Sequence, residues 1–299
     1  MRHLSRTRAL CAALVVVALA ALGLAGTASA KLTGLYARFE QCPYANTEVK
    51  RCLYSVTESG EVVLGSSKVP ITKPVVLQGG LGKFDEETGF TPFFGATNGV
   101  TLQKVAQPVP GGLAGILNCK EIKEPILRAS CELVFENGAT GLNSTLELAR
   151  PANEIKVSQL HLSEEVGTAL QMPVKVHLEN PFLGSNCYVG SSSSPIIWQL
   201  TTGTTSPPAP NTPIKGFAGF AELFEEGRFV LNTGTKLVDN AWSAPGATGC
   251  GGFLVELLLD PVINAKIGST TAGHNTAILN NTISLASAAA VRTNDAENP

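Results

Sequence analysis

The sequence predicts an all-β protein, either an antiparallel β-sandwich or two similar β lobes, with one or two short helices. Apolar and polar residues alternate along many short segments, which is the period of a strand with one face buried. The chain has 30 glycines and 18 prolines, and these turn residues separate the alternating segments at short intervals. Six cysteines follow residue 30, which suits a fold stabilised by disulfides.

The clearest strand prediction is "ALQMPVKVHLEN". Its apolar residues fall on even positions from Leu170 to Leu178, and polar residues such as Lys175 and Glu179 fall between them. Pro173 has no N–H to donate to a sheet, so we expect this strand to lie at an edge or to be bulged there.

Other alternating or apolar segments predict further strands. Asn137 and Gly138 lie between "CELVF" and "LNSTLEL", and Asn-Gly in that context predicts a β-hairpin. The remaining predicted strands are "GLYARFEQC", "CLYSVT", "EVVLG", "KPVVLQ", "EIKVSQLHL", "PIIWQL" and "GRFVLNT".

Two short helices are predicted towards the end of the chain. In "LLLDPVINAKIGS", Asp260 suits the N-cap, Pro261 the first helical position and Gly268 the left-handed residue after the helix. This pattern predicts about two helical turns. The alanines of "ISLASAAAVR" predict a second helix, and we expect residues 293–299 to be frayed.

Residues 1–30 have the layout of a secretory signal peptide. Three arginines precede an apolar stretch at residues 9–25, and Ala28 and Ala30 suit cleavage before Lys31. A retained membrane anchor is the alternative, because the apolar stretch approaches the length of a spanning helix. No later segment is long and apolar enough to span a bilayer, so we expect a secreted, extracellular or cell-wall associated protein.

Residues 31–299 are interpreted as one secreted β-rich domain with a possible lobe boundary near residue 150. "GSSKVPI" at 65–71 resembles "GSSSSPI" at 190–196, which would suit a duplicated β unit. Serine, glycine and proline are common turn residues, however, so chance explains the similarity better. The Ser/Thr/Pro-rich segment at 204–213 is predicted to be an exposed connection within this domain.

An even number of cysteines in an exported chain predicts disulfides. Six cysteines allow fifteen pairings, and the sequence alone does not choose among them. A metal site is the alternative, but the chain has no Cys-x-x-Cys pair and no nearby histidine cluster. Proximity along the chain favours Cys42 with Cys52, Cys119 with Cys131, and Cys187 with Cys250.

Charge and motif content exclude several classes of function. Residues 1–30 contain three arginines and no acid, so the rest of the chain has 19 basic and 24 acidic side chains. A mildly acidic chain does not attract nucleic-acid phosphates. The sequence has no phosphate-binding loop, dinucleotide fingerprint or zinc-protease helix. We therefore predict no nucleic-acid partner, no cofactor and no metal ion.

Candidate general bases are few. His177 falls on the polar face of its predicted strand, and His161 is interpreted as the polar partner in another alternating segment. His274 follows a glycine in a predicted turn and is the most site-like of the three. A hydrolase that pairs Ser185 or Ser191 with His274 is the enzymatic alternative, but neither serine lies in a Gly-x-Ser-x-Gly elbow.

Trp242 is the aromatic residue that we predict to be exposed and to bind a ligand, together with His274. It lies in the turn-rich segment "DNAWSAPGATGCGG", whereas Trp198 shares the face of Ile196 and is predicted to lie in the core. The acidic run at residues 85–87 is interpreted as a solvated loop, because consecutive acids cannot all face one calcium ion or one glycosidic bond.

Several segments resemble a family of exported proteins from high-GC Gram-positive bacteria. They are "NPFLGSNCYVGSSSSPI", "TTGTTSPPAPN", "APGATGCGG", "DPVINAKIG" and "AGHNTAILN". The resemblance covers most of the chain after residue 30 and is densest from 170 to 282. It implies export and structural cysteines, and it carries over no activity, ligand or catalytic residue.

These observations predict a secreted or envelope-associated, disulfide-stabilised β protein with a non-catalytic role in binding or surface structure. Its expected partner is a cell-envelope component or an extracellular ligand. The alternatives are an extracellular hydrolase that uses His274 or an acidic pair, and a carrier of an apolar ligand between sheets. A pocket containing His274, a carboxylate and a serine would favour the hydrolase, and an apolar cavity would favour the carrier.

Overall fold

A computed structural model describes residues 31–115, 118–136, 140–251, 256–267 and 270–298. The predicted signal peptide, the Asn137–Gly138 turn and the Gly268 cap lie outside these residues.

The described residues form fourteen strands and four α-helices, with short 3-10 helices between them. The strands are β1 (Arg51–Leu64), β2 (Ser67–Ile71), β3 (Val75–Leu81), β4 (Thr91–Gly95), β5 (Ala106–Pro108), β6 (Asn143–Leu148), β7 (Lys156–Val157), β8 (Leu170–Glu179), β9 (Tyr188–Val189), β10 (Ile196–Leu200), β11 (Phe220–Phe224), β12 (Phe229–Asp239), β13 (Ala247–Thr248) and β14 (Asn275–Ser287). The helices are α1 (Pro125–Glu136), α2 (Gln159–Glu164), α3 (Glu256–Ile267) and α4 (Ala288–Glu297).

The strands pair antiparallel and follow the order β11-β12-β14-β1-β3-β4-β7-β8-β6-β5. Strand β4 changes partner along its length, because residues 93–95 pair with β3 and residues 91–92 pair with β7. It therefore joins a first sheet (β11, β12, β14, β1, β2 and β3) to a second sheet (β5 to β10 and β13). The fold is all-β and sandwich-like, as predicted.

A second backbone contact also links the two sheets. Thr201, directly after β10, exchanges two backbone hydrogen bonds of 2.9 Å with Val238 of β12. The inward residues of both sheets form one main hydrophobic core, which includes Leu53, Leu81, Val174, Trp198 and Ile283. This core joins residues on both sides of position 150, while the possible lobe boundary there stays a prediction.

Strand β8 shows how the alternating pattern specifies a face. Its even-numbered residues from Leu170 to Leu178 are buried. It is an interior strand with neighbours on both sides, so the expectation of an edge strand is wrong. Pro173 is tolerated because it faces the gap between β6 and β7, where its carbonyl accepts the N–H of Ala149 at 3.0 Å.

A second apolar cluster covers the outer face of the first sheet. It joins the segment around Tyr36 and Phe39 to Phe229 of β12 and to Val291 of α4. The two ends of the described chain also meet there, since the backbone N–H of Lys31 donates to the carbonyl of Asn298 at 3.0 Å. Helix α4 continues to Glu297, so the expectation of frayed residues from 293 onwards is wrong for most of that segment.

The predicted hairpin around Asn137 and Gly138 is not formed, because the residues before it are helical. In α1 the buried or partly buried side chains of Leu127, Cys131 and Phe135 recur every four residues, which places them on one helical face. Only the second predicted strand is present, as β6.

Two other predicted strands are largely helical. "GLYARFEQC" forms a 3-10 helix at Gly34–Phe39, where the buried residues Tyr36 and Phe39 are three positions apart. "EIKVSQLHL" contributes the two-residue strand β7 and then helix α2, which Ser158 caps by accepting the N–H of His161.

Helix α3 begins earlier than predicted. Asp260 and Pro261 lie inside it rather than at its start, because the helix already begins at Glu256. The Asp260 carboxylate instead accepts the backbone N–H groups of Gly249 and Cys250, at 3.1 and 2.9 Å, and so holds that turn against the helix.

The structure joins Cys42 to Cys52, Cys119 to Cys131, and Cys187 to Cys250, which are the pairs favoured by proximity along the chain. The Ser/Thr/Pro-rich segment lies inside the loop closed by Cys187 and Cys250. Asn211 fastens this segment to the fold, because its side-chain amide donates to the carbonyls of Asn240 and Asn275 at 2.8 and 2.9 Å. No helix among the described residues is long and apolar enough to cross a membrane.

Candidate functional site

A cavity lies between the two sheets. Strands β1, β2, β3, β12 and β14 form one wall, strands β5, β6, β8 and β10 form the other, and the segment at residues 102–105 bridges them. The volume of this cavity is about 80 Å³.

Apolar side chains dominate the cavity lining. Fifteen of the lining residues are apolar, six are polar and none is charged. The apolar residues are Val62, Leu64, Val69, Ile71, Val75, Leu77, Leu102, Val105, Leu146, Leu170, Met172, Val176, Trp198, Leu237 and Leu279. The polar residues are Ser55, Thr57, Gln103, Gln107, Ser144 and Asn281.

Three of the polar residues are neighbours on the first sheet. Ser55 and Thr57 are two positions apart on β1, and Asn281 of β14 is the register partner of Thr57. The Thr57 hydroxyl donates to Oδ1 of Asn281 at 2.7 Å, and the Asn281 amide donates to the carbonyl of Leu279 at 2.9 Å. The lining reaches solvent nearby, since Gln103 is exposed and Thr57 is partly exposed.

Trp198 lies on the second wall and is fully buried, as predicted. Its ring meets the ring of Trp242 edge to face, with 6.1 Å between centroids. Trp242 is 5% exposed, so the expectation that this side chain is exposed is wrong. Its indole N–H donates to the carbonyl of Asp239 at 3.2 Å. This hydrogen bond holds the Trp242 ring in the core, against Trp198.

A buried carboxylate supports this tryptophan pair. Asp239 is 3% exposed, and its carboxylate accepts the backbone N–H of Gln199 at 2.6 Å and that of Ala241 at 3.0 Å. No cationic side chain of the described residues lies within ion-pair distance of it. Burial raises the pKa of the Asp239 carboxyl above its ordinary value of 3.8, and the two hydrogen bonds offset this shift only in part.

The raised pKa of Asp239 predicts how the free energy of unfolding depends on pH. The native state binds the Asp239 proton more tightly than the unfolded state does. The contribution of Asp239 to the free energy of unfolding is therefore greatest below the ordinary pKa and is lost as the pH rises through the folded-state pKa. We expect the stability of the wild type minus that of Asp239→Asn, measured by urea unfolding, to fall as the pH rises above the ordinary pKa of 3.8.

Asp85 provides a control of opposite sign. It is an exposed carboxyl whose pKa is lowered by hydrogen bonds from the Thr88 hydroxyl and the Glu87 N–H. The stability of the wild type minus that of Asp85→Asn should rise with pH over the acidic range. A flat difference for Asp239→Asn would contradict the interpretation of Asp239 as an uncompensated buried carboxyl.

His274 does not face the cavity. It is exposed at the start of β14 and is not a lining residue. Ser191 is engaged within its own loop, where its hydroxyl contacts that of Ser193 at 3.1 Å and accepts the N–H of Ser194 at 3.0 Å. The described contacts therefore do not bring His274 and Ser191 together, and the ligand-binding roles predicted for Trp242 and His274 stay predictions.

A histidine, a carboxylate and a serine do meet on the outer face of the second sheet. His177, Glu179 and Ser185 line a shallow, open depression there. Nδ1 of His177 lies 3.5 Å from the Glu179 carboxylate, and Nε2 lies 3.1 Å from the backbone carbonyl of Ser185. The imidazole thus contacts the serine carbonyl and not its hydroxyl, which does not match the base–nucleophile contact of a serine hydrolase.

The acidic run at residues 85–87 forms a turn. Asp85 accepts the N–H of Glu87 and the hydroxyl of Thr88, so its carboxylate stabilises its own loop. In the part of the chain that the structure describes, no group of three or more His, Cys, Asp or Glu residues is placed to hold a metal ion.

The cavity is not evident from the sequence, although β14 contains a signal for it. Its inward residues are Ala277, Leu279, Asn281 and Ile283. Asn281 is a polar residue at an inward position, where a filled core without a cavity would favour an apolar side chain. The same holds for Ser55 on β1.

The fold and the cavity define the class of the protein: it is a disulfide-stabilised β protein with an apolar recess between two sheets. Comparison of the chain with protein-family models, curated proteins and solved structures found no match. The resemblance to exported proteins of high-GC Gram-positive bacteria therefore stays a prediction.

Proposed function

We propose that this protein is an exported, non-catalytic binding protein that carries a small, uncharged and mostly apolar ligand between its sheets. The observation that carries the proposal is the recess itself, whose lining is apolar over most of its area and contains no charged residue. Convergent apolar side chains with a few polar groups are typical of small-molecule sites.

The lining restricts the charge of the ligand. A charged group placed between the sheets would lose its hydration without gaining an ionic partner, which is strongly unfavourable. The uncharged polar residues at the solvent side, such as Thr57 and Gln103, suit a neutral polar group at one end of the ligand.

The volume restricts the shape of the ligand. A cavity of about 80 Å³ is too small for a bulky ring system without rearrangement of the walls. It suits a slim ligand, such as a neutral molecule with a short alkyl chain, that enters from the open side.

The absence of acid–base groups from this lining supports a non-catalytic role. General acid–base catalysis needs a titratable side chain within hydrogen-bond reach of the substrate. The lining residues include no histidine, carboxylate, lysine or cysteine. A substrate held in this recess would therefore meet no such group.

Three disulfides and the layout of residues 1–30 support export, because disulfides persist in oxidising compartments. Secretion or association with the cell envelope follows as part of the proposal. The ligand is then an extracellular compound or an apolar component of the envelope.

The proposal predicts binding of a slim, uncharged alcohol. n-Hexanol should bind the wild type, and Val75→Phe should weaken its affinity by about tenfold or more. Val75 lines the cavity, so a larger ring at this position occupies space that the alcohol needs. Isothermal titration calorimetry measures both affinities.

The matched control is Val100→Phe, the same exchange at an exposed position outside the lining. It should leave the affinity unchanged. Equal affinity of the wild type and Val75→Phe would place the alcohol elsewhere and contradict the proposal. Failure of the wild type to bind the alcohol would also contradict the proposal. A role in surface structure would then be the remaining hypothesis.

A further inference from the structure

A second depression lies on the surface, where the start of β1, the end of β3 and helix α2 meet. Its volume is about 590 Å³, and its lining shares no residue with the recess between the sheets. Lys50 and Arg51 line it at the start of β1, Lys83 lines it just after β3, and Gln159 lines it from α2. The depression therefore gathers side chains from three segments that are distant in the sequence.

The charge of this lining is the reverse of the charge of the chain. Three of its nine residues, Lys50, Arg51 and Lys83, are cationic and none is acidic. After residue 30, by contrast, the chain has 24 acidic and 19 basic side chains. The three cations are exposed, and no carboxylate of the described residues lies within ion-pair distance of them. We call this surface the basic depression, and its charges are available to a ligand.

Hydrogen bonds hold two of these cations in place without using all of their donors. Nη1 of Arg51 donates to Oε1 of Gln159 at 2.7 Å, and Nζ of Lys50 donates to the carbonyl of Thr47 at 2.7 Å. A guanidinium has five N–H donors and an ammonium has three, so both side chains keep donors for a ligand. A side chain that is already held in place also loses less entropy when a ligand binds.

The acidic residues nearby do not pair with the basic depression. Glu48 lines an adjoining depression, and Glu164 lies on α2. Asp85 and residues 86–87 lie in the turn after Phe84, where the Asp85 carboxylate accepts hydrogen bonds from its own turn. All of these acids are exposed and none is a lining residue. They lower the positive potential around the site but leave its three cations without an ionic partner.

The basic depression also offers apolar surface beside the cations. Phe84 is 38% exposed and Leu160 is 46% exposed, and both side chains line the depression. Its volume of about 590 Å³ lies in the range of small-molecule sites. A ligand with one anionic group and a small organic part matches this combination.

We propose that the basic depression binds the phosphate group of a phosphate monoester. Such a group carries a charge of about −1.5 to −2 at pH 7 and three acceptor oxygens, so it can accept charge-assisted hydrogen bonds from Lys50, Arg51 and Lys83 together. A carboxylate has a single charge and two oxygens to share among the same three cations. The organic part of the ester lies against Phe84 and Leu160. This site is separate from the recess, so it adds a second ligand to the proposed function.

The first test compares phenyl phosphate with benzoate, which has a similar ring and a carboxylate. Phenyl phosphate should bind the wild type about fivefold more tightly, because it carries more charge. An NMR titration that follows the backbone N–H of Gly82, a lining residue, measures both affinities. Raising NaCl from about 0.1 M to about 1 M shortens the screening length from about 10 Å to about 3 Å, so the affinity for phenyl phosphate should fall.

The second test removes two of the cations. Arg51→Gln combined with Lys83→Gln should weaken the binding of phenyl phosphate by about tenfold or more, because two charge-assisted hydrogen bonds are lost. Lys123→Gln is the matched control, since it alters an exposed lysine outside the lining, and it should leave the affinity unchanged. Val75→Phe, which alters the recess, should also leave it unchanged, so the two proposals can fail separately.

Vesicles distinguish two sources of the phosphate monoester. If the wild type, but not the double variant, sediments with phosphatidic acid vesicles and not with phosphatidylcholine vesicles, a lipid headgroup supplies the group. If phenyl phosphate alone binds, the ligand is a soluble ester. Either result supports the proposal.

Three results would overturn the proposal: no binding of phenyl phosphate, equal affinity for benzoate, or unchanged affinity in the double variant. The exchanged side chains are exposed, so circular dichroism should show that the double variant is folded. If it is not, Lys83→Gln alone, with an expected weakening of about threefold, and the salt dependence of the wild type decide.

Discussion

Replacing Cys187 and Cys250 together by alanine is expected to lower the free energy of unfolding by about 4 kcal/mol. This disulfide closes a loop with a sequence separation of 63, the longest of the three. A longer closed loop removes more conformational freedom from the unfolded chain. Both cysteines are fully buried, so alanine also loses packing. Urea unfolding of the oxidised wild type and the double variant measures the difference.

The effect should extend to the strands beside the disulfide. Cys187 precedes β9, which pairs with β13, and the carbonyl of Cys187 accepts the N–H of Leu178 in β8 at 2.9 Å. Without the disulfide, β13 is held to the second sheet by the two residue pairs of that short ladder. We therefore expect faster amide hydrogen exchange in β13 as well as lower global stability.

The matched control is the double variant Cys119→Ala with Cys131→Ala. Its loop has a sequence separation of 12, so the same entropy argument predicts a loss of about 3 kcal/mol. This disulfide anchors α1 and a small cluster with Ile122 and Leu127. A loss equal to or larger than that of the Cys187–Cys250 variant would contradict the ranking by loop length.

The second large effect is expected for Phe229→Ala, with a loss of about 4 kcal/mol in the free energy of unfolding. Phe229 is fully buried in the outer cluster on the first sheet. The rings of Tyr36, Phe39 and Phe224 contact it edge to face, at centroid distances of 6.3, 6.0 and 5.7 Å. Alanine would leave a cavity that these three rings cannot all close.

Phe220→Ala is the control on the neighbouring strand. Phe220 is 68% exposed on β11, so its removal should change the free energy of unfolding by less than about 0.5 kcal/mol. Circular dichroism during urea unfolding compares the two variants. Similar losses for Phe220→Ala and Phe229→Ala would show that the outer cluster does not contribute as its burial implies.

The outer cluster also holds both ends of the described chain against the first sheet. Residues around Tyr36 and helix α4 pack on the same sheet face, and the N–H of Thr33 donates to Oδ1 of Asn294 at 2.9 Å. Neither segment has a core of its own. Loss of Phe229 should therefore increase hydrogen exchange in both segments together.

The strands were predictable where a local pattern reflects burial on one face. Strands β8 and β10 alternate between buried and less buried residues as their sequences indicate. The helix α1 was missed because a short segment can fit two periods. Cys131 and Phe135 match both a two-residue and a four-residue spacing, and the exposed Leu133 distinguishes them only in the structure.

The candidate site was much less predictable. Thr57 and Asn281 are separated by 224 residues, and their hydrogen bond depends on the register of β1 with β14. That register includes an irregularity between Thr57 and Ser59, which no local pattern in the sequence reveals. Trp242 was misplaced for a similar reason, since its burial depends on contacts with Asp239 and Trp198.

The sequence by itself determined the β-rich class, the inward face of the clearest strands, the buried position of Trp198 and the most favoured cysteine pairs. These features depend on near neighbours in the chain or on simple proximity. Only the tertiary structure decided which sheets face each other and where the apolar recess lies. Those features arise from pairing between distant strands, whose register depends on the packing of the whole fold.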